Sequence, residues 1–355
     1  MRPTGEHEEL RSAVRALLAR QPDASAWRPL TAQIGAAGLA VPEEYGGAGC
    51  GALEVHVVME ELGRALAPVP FLGSAVLTTQ ALLACGDPAR LPELADGSVV
   101  GALAWAENGS WEPAAVRTEA RRGVDGAWRL TGVKEHVLDG ADAGLLIVAA
   151  RTDAGLSLFE TAPDARGLRR ERLVTMDSTR PQARIVLDGT VGRPVGRDGD
   201  GARVLRRVTD LGCVALAAEQ VGAAERCLEL TVAYARERVQ FGRPIGSFQA
   251  VKHRLADAYV RVEAARSAAW GAAFAAAEGA AELSRFAAVA KSACSEAFSA
   301  VAGEMVQLHG GIGITWEHDA HRYFKRAHGC GQLFGAPARH RERLAAELGL
   351  TAGRG

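Results

Sequence analysis

Two segments of the chain carry residue types that could do chemistry. The first reads Arg238-Val239-Gln240-Phe241-Gly242-Arg243-Pro244-Ile245-Gly246-Ser247-Phe248-Gln249. An arginine guanidinium can hold a phosphate through two parallel hydrogen bonds. A phenylalanine ring offers a flat apolar face, and a glutamine amide pairs a donor with an acceptor. Read alone, the same segment is also a helix–helix turn with glycine and proline as breakers. The second segment reads Gln307-Leu308-His309-Gly310-Gly311-Ile312-Gly313-Ile314-Thr315-Trp316-Glu317-His318-Asp319. Its glycines leave backbone N–H groups bare and let an anion or another chain come close. Alone, it also reads as a helix C-cap followed by a loop.

Other candidates have weaker spacing. Gly47-Ala48-Gly49-Cys50-Gly51-Ala52 matches half of a dinucleotide-binding fingerprint, but it follows a proline-containing loop in a helical region instead of a strand. It reads as a glycine loop leading into the helix from Leu53. His318 and His321, with Glu317 and Asp319 beside them, fit one helix face, yet zinc signatures need more specific spacing. No metal is expected there. Asn108-Gly109-Ser110 matches a glycosylation sequon by chance, since the polar start Met1-Arg-Pro-Thr-Gly-Glu-His-Glu-Glu has no apolar leader pattern.

The elements that must position the two segments divide the chain in three. Residues 1–95 have apolar residues at helical spacing, such as Leu10, Val14, Leu17 and Leu18, then Val55, Val58, Met59, Leu62 and Leu66. Residues 96–197 hold four strand-like runs, Val99–Trp105, Trp128–Gly132, Leu145–Ala150 and Ala183–Leu187, with Asp125-Gly126 and Asp139-Gly140 as turn signals. An antiparallel barrel or sandwich is expected. Residues 198–355 return to helix, with faces on Val221, Ala224, Leu228, Val232 and Ala235; on Val251, Leu255, Tyr259 and Val262; and on Phe286, Val289, Ala293, Ala297, Val301, Met305 and Leu308.

Composition narrows the partners. The 355 residues are 48% hydrophobic and 23% charged with a net charge of −1, so no basic field exists for nucleic acid. No apolar run is long enough for a membrane span. Six scattered cysteines without a C-x-x-C pair fit a reducing, cytoplasmic compartment. Lysine occurs only at 134, 252, 291 and 325, which reads as a compositional bias toward arginine.

Taken together and in this order, the two segments resemble the flavin-contacting motifs of the acyl-CoA dehydrogenase family. The family pattern is R-x-x-F-G or R-x-Q-F-G with a downstream Gln, then Q-x-x-G-G-x-G. Leu39–Gly49 is similar to the family's N-terminal loop, and the helix–β–helix order agrees. The resemblance implies an α+β fold: an N-terminal helical domain, a central antiparallel β-barrel or sandwich domain and a C-terminal four-helix bundle. It implies FAD as cofactor and α,β-dehydrogenation of an acyl-CoA or acyl-thioester, with a carboxylate taking the α proton. The flavin-binding positions would be Arg238, Gln240, Phe241, Phe248 and Gln249, with Gln307, Leu308, His309, Gly310 and Gly311 given to a neighbouring subunit. Asp210 falls on the first residue of a substrate-contacting D-x-x-R pair, whose arginine is Cys213 here. Implied partners are homologous subunits, as a homo- or hetero-oligomer (dimer or tetramer), and an electron-transfer flavoprotein.

The departures from the pattern bear on function. The family's usual catalytic glutamate falls on Phe334 and its alternative on Gly212, and neither residue can take a proton. The stretch Ala104-Trp105-Ala106-Glu107-Asn108-Gly109-Ser110-Trp111 and the stretch Lys134-Glu135-His136-Val137-Leu138-Asp139-Gly140 replace family sequences that line the isoalloxazine. The combination resembles subunits of heteromeric actinobacterial acyl-CoA dehydrogenases of steroid side-chain degradation, in which one chain can lack the base. Four readings follow: a dehydrogenase subunit with its base on a partner chain; a homo-oligomer with a base relocated to Asp210, Glu219, Glu304 or Glu317; a non-catalytic subunit completing a complex; and a flavin oxidase or monooxygenase on the same scaffold.

Overall fold

The computed structural model describes residues 4–350; Met1–Pro3 of the polar start and the last five residues lie outside them. Among the described residues the chain opens with α1 (Gly5–Arg20), α2 (Trp27–Ile34), α3 (Ala52–Ala65), α4 (Thr79–Cys85) and α5 (Leu91–Ala95). Pro68 and Pro70 follow α3, and a π-helical stretch over Phe71–Thr78 leads into α4. Seven strands come next: β1 (Gly101–Ala104), β2 (Glu119–Arg122), β3 (Trp128–Leu138), β4 (Leu145–Thr152), β5 (Gly155–Thr161), β6 (Leu168–Arg172) and β7 (Gln182–Val195). The rest is α6 (Gly201–Glu237), a small hairpin of β8 (Val239–Gln240) and β9 (Arg243–Pro244), then α7 (Gln249–Ala277), α8 (Leu283–His309), α9 (Ala320–Gln332) and α10 (Pro337–Glu347). Helices, then strands, then helices is the order read from the sequence.

The strands run β1-β4-β2-β3-β7-β5; β6 adds to β7, and β5 returns to pair with β4. Five strands thus close into a barrel, which leaves few unpaired edges. Most pairs are antiparallel, as the turn signals predict. The sheet is nonetheless mixed: β1 lies parallel to β4, Gly101 opposite Leu145 through Ala104 opposite Val148, and β2 meets β4 in parallel at Glu119 and Arg151. The β2–β3 hairpin lies between β1 and β4 in the chain, so β4 re-enters in the direction of β1. Alternating inward residues, among them Ala102, Leu130, Leu146, Val148, Phe159, Ile185 and Leu187, form the barrel core.

The chain forms two compact units. One takes the segment up to Ala19, His56–Ala67 and everything from Cys213 onward; the other takes Arg20–Val55 and Pro68–Gly212. In the first, α6, α7, α8 and α9 share a core of Ala223, Cys227, Ala258, Val262, Phe298, Val301, Met305 and Tyr323, the expected four-helix bundle. Three residues placed on the expected apolar faces, Tyr259, Phe286 and Val289, are instead exposed. The faces that pack in α7 and α8 are mostly alanine: Ala265, Ala269 and Ala272, then Ala287, Ala290 and Ala297.

Within this unit α3 crosses α6 at a distance only glycine allows. A Cβ at Gly63 would lie 1.9 Å from the Glu219 carbonyl oxygen, and one at Gly222 would lie 1.9 Å from that of Glu60. Charged side chains brace the same crossing. Glu60 pairs with Arg11 at 2.6 Å, and Glu61 accepts two hydrogen bonds from Arg15 at 2.7 Å each. Burial disfavours the charged Glu60, but His56 and Arg11 outweigh it and hold the carboxyl at about 2.

Candidate functional site

The arginine segment folds as a tight hairpin between α6 and α7. Phe241 and Gly242 form its two-residue tip, with φ of 53° and 75°. Such a tip matches the twist of the paired strands but strains a phenylalanine. Phe241 is 93% exposed. Phe248 stands edge-on to it with centroids 6.2 Å apart, and the Arg243 guanidinium lies 4.1 Å over the Phe248 ring. Gln240 and Gln249 are exposed, and the Gln240 amide donates to the Val239 carbonyl at 2.8 Å. Arg238 is exposed at the end of α6. No side chain caps the N-terminus of α7 at Phe248, and the Val251 N–H donates to the Phe248 carbonyl at 3.1 Å.

The glycine segment begins where α8 ends. Gln307 is exposed, Leu308 half-buried, and Gly310 and Gly311 exposed. Gly310 adopts φ 62° and ψ −140°, a backbone essentially confined to glycine. A Cβ at either glycine would meet nothing within 4 Å, so open space faces this turn. His309 differs from its neighbours. It is buried, its Nδ1 lies 2.7 Å from the Met305 carbonyl, and its ring stacks on Tyr234 with centroids 4.4 Å apart. Tyr234 precedes Arg238 by one turn and accepts its N–H, so this stack ties the end of α6 to the end of α8.

The positions of the family's base hold no carboxylate. Phe334 is 3% exposed with φ 59°, and its carbonyl lies 3.0 Å from His340 Nε2. Lys291, fully buried, donates to the carbonyls of Cys330 and Gly331 at 3.0 Å each, just before that turn. Burial lowers the Lys291 pKa. Gly212, Asp210 and Cys213 are all buried on α6. The other carboxylates considered as bases are engaged elsewhere. Glu219 pairs with Arg326 in the interior, Glu304 pairs with Arg254 at 2.7 Å, and Glu317 is exposed, its carboxyl lowered by the Thr315 hydroxyl.

In the β unit the two altered stretches come together. The Glu135 N–H donates to the Ala106 carbonyl at 2.9 Å. Beneath them Lys134 Nζ lies 2.5 Å from Glu107 Oε1, which also accepts from the Thr118 hydroxyl at 2.6 Å. Burial pushes the Lys134 ammonium down to about 8. Burial raises Glu107, but the Lys134 charge and the hydrogen bonds outweigh it and lower its pKa. Trp105 and Trp111 meet edge to face at 5.0 Å, and Trp111 lies 6.3 Å from His136. Sequence reasoning missed this buried ion pair; its one legible sign was a lysine in a chain that almost always uses arginine.

Backbone strain marks the same places. Leu66, Asn108, His136, Asp139, Phe241 and Phe334 are the described non-glycine residues with positive φ. All but Leu66 lie in the segments singled out from the sequence. Such conformations persist where the surroundings over-determine them, often at functional sites. Among the described residues no group of three His, Cys, Asp or Glu side chains could hold a metal ion. His318 packs against His309, and His321 against Trp316.

An exposed arginine, an exposed aromatic ring and a helix N-terminus without a side-chain cap fit a diphosphate joined to a flat ring, as FAD is. The comparisons agree with that chemistry. The acyl-CoA dehydrogenase N-terminal domain matches residues 4–98, and the acyl-CoA dehydrogenase C-terminal domain matches residues 199–349. Acyl-CoA dehydrogenase IpdE2 of Mycobacterium tuberculosis is 43% identical over 341 residues, 95% of this chain and 91% of that protein. A solved variant of the Tcur3481-Tcur3483 steroid ACAD is 34% identical with a TM-score of 0.88, covering 97% of this chain and 98% of its own. The ChsE4-ChsE5 complex from Mycobacterium tuberculosis is 31% identical with a TM-score of 0.89, covering 99% of each chain. On matched sequence, fold and donor set together, this chain belongs to the acyl-CoA dehydrogenase family of FAD-dependent oxidoreductases.

Proposed function

We propose that the chain is one subunit of a heteromeric FAD-dependent dehydrogenase that desaturates a steroid-derived acyl-CoA between Cα and Cβ. In this reading a homologous partner subunit supplies the base. The observation that carries it is the turn at Phe334: a phenyl ring, closed off inside the chain, stands where a carboxylate would be needed, while the flavin-type segments are intact. The resemblance to a steroid ACAD and to a two-component complex supports both the substrate class and the partner.

Each segment then has a role. FAD, when bound, accepts the β hydride. Arg238 and the N–H groups at the start of α7 hold its diphosphate, where opposite charge and the helix dipole add. Phe241 and Phe248 cover apolar surface, and the amides of Gln240 and Gln249 meet polar edges. Gln307–Gly311 offers bare backbone N–H groups to the cofactor of a neighbouring subunit. The stretches 104–111 and 134–140 line the flavin ring. Asp210 belongs to the substrate side, and the loss of the arginine at Cys213 fits a substrate handled mainly by the partner. We keep the segments 1–95, 96–197 and 198–355 as the functional division of the chain. The six scattered cysteines, none in a C-x-x-C pair, support a reducing, cytoplasmic setting.

The test uses the chain purified alone and co-purified with a carboxylate-bearing homologue. Each preparation is titrated anaerobically with a steroid-derived acyl-CoA while the visible flavin band is followed. Bleaching by the complex and not by the chain alone is expected. Bleaching by the chain alone places the base within it and overturns the reading. A flavin-loaded complex that no acyl-CoA reduces points to the oxidase or scaffold alternatives.

A further inference from the structure

His136 sits at the least regular point of β3. Lys134 pairs with Ile185 of β7 and Val137 with Ala183, so three steps on β3 oppose two on β7. The extra residue makes a bulge, a device that re-aims a side chain. His136 pays for it with φ 53°, and Asp139, three residues on, has φ 56°. Glycine or asparagine would hold such backbone with less strain. The ring is then fixed: Nδ1 lies 2.9 Å from Gln182 Oε1. A carbonyl oxygen only accepts, so Nδ1 carries the hydrogen and Nε2 is left as the basic nitrogen. The side chain is half-buried beside Trp111. A strained, oriented and half-buried imidazole is more than barrel packing requires, since apolar residues fill this core elsewhere.

We propose that His136 couples reduction of the bound flavin to uptake of a proton, its imidazolium offsetting the negative charge the flavin ring gains. The inference rests on the reading above that residues 104–111 and 134–140 line that ring. The balance is simple. A hydride, two electrons and one proton, would give a bound flavin ring one negative charge. His136 takes one proton from solvent at Nε2 and gains one positive charge. No other group is oxidised or reduced.

The surrounding charges leave this role to His136. On β3 itself, Lys134 is held by Glu107 from the 104–111 stretch. Glu135 accepts the Gly109 N–H at 3.3 Å. Asp139 follows β3, with its backbone N–H bonded to the Pro181 carbonyl at 3.1 Å. From the β7 side come the neutral Gln182, Arg180 just before the strand and Arg184, which pairs with Glu171 of β6 at 3.5 Å. Lys134 and Glu107 are deep and mutually committed, whereas His136 is only half-buried.

The experiment measures the flavin reduction potential against pH in the flavin-loaded complex, for the wild type, His136→Asn and Gln182→Leu. Asparagine tolerates the left-handed backbone, and bound flavin per complex reports folding. The wild type should show a slope of two protons per two electrons in the pH window where His136 is neutral in the oxidised complex and charged in the reduced one, and of one proton on either side of that window, a twofold change. His136→Asn should keep the one-proton slope throughout. Gln182→Leu should move that window to lower pH, because the charged ring loses its acceptor. Identical slopes for wild type and His136→Asn, with flavin bound in both, overturn the inference while leaving the proposed function standing. A complex that binds no flavin overturns the proposed function and this inference with it.

Discussion

The tetrapeptide frame Phe-Gly-x-Pro occurs twice in the helical unit, as Phe241-Gly242-Arg243-Pro244 and as Phe334-Gly335-Ala336-Pro337. Both phenylalanines adopt left-handed backbone, at 53° and 59°, and both glycines follow with positive φ, at 75° and 103°. Local sequence therefore dictates the same kind of turn twice. The outcomes are opposite. The first phenyl ring stands on the surface with an arginine-bearing hairpin around it. The second is enclosed, its carbonyl taken by His340 and the preceding helix end by Lys291. Tertiary contacts decide which of two like turns offers its side chain outward. They also separate the turns chemically: the outward one exposes its ring, and the inward one carries no carboxylate.

The largest effect should come from emptying the inward turn. Phe334→Ala removes a buried ring and should cost about 3–5 kcal/mol, read as a lower urea midpoint. Next is a pH dependence confined to that turn. Burial first, then the charges of Lys291 and Arg343, push His340 down to about 4 from the ordinary 6.5. Between those values the unfolded chain binds a proton that the folded chain does not. Stability should therefore be lost as pH falls from 6.5 to about 4, by about 3 kcal/mol in total. His340→Gln should flatten that part of the stability–pH curve, and an unchanged curve would break the comparison.

Lys291→Met keeps the aliphatic stem but leaves the Cys330 and Gly331 carbonyls without their donor. The loss of buried hydrogen bonds is partly offset by no longer burying a charge, so about 2 kcal/mol of destabilisation is expected in thermal or urea unfolding. The smallest change in stability should come from the outward turn. Phe241→Ala should shift the unfolding free energy by no more than about 0.5 kcal/mol, while lowering the flavin retained through gel filtration. A large stability loss there with flavin unchanged would make the two turns equivalent and remove the distinction between them.

Much of this was legible in the sequence. The order of helices, strands and helices followed from hydrophobic periodicity, and the buried face Val221, Ala224 and Leu228 of α6 was placed correctly. The faces of α7 and α8 were only partly placed, because alanine packs them closely yet carries little periodic signal beside Tyr259, Phe286 and Val289. Strands β2 and β6, Glu119–Arg122 and Leu168–Arg172, are too charged to show apolar alternation; pairing with neighbours makes them strands. The ion pair of Lys134 and Glu107 spans 27 positions, and no local rule joins such residues. Two of the four lysines, 134 and 291, are fully buried. Their rarity was read as composition, and burial gives them a structural reason. The turns after Arg238 and Gln307 were legible because glycine and proline act locally; the fate of Phe334 was not, because enclosure is a property of the packed bundle.

The account's central claim is that this chain contributes flavin-holding residues and no base. The most direct test is exchange of the substrate's α proton in deuterated buffer, followed by NMR, in a complex whose partner has its catalytic carboxylate changed to the amide. The account predicts a flavin-loaded complex with no α-proton exchange, and exchange restored when the unmodified partner is used. Persistent exchange with the amide variant would show that a residue of this chain takes the proton, and would contradict it.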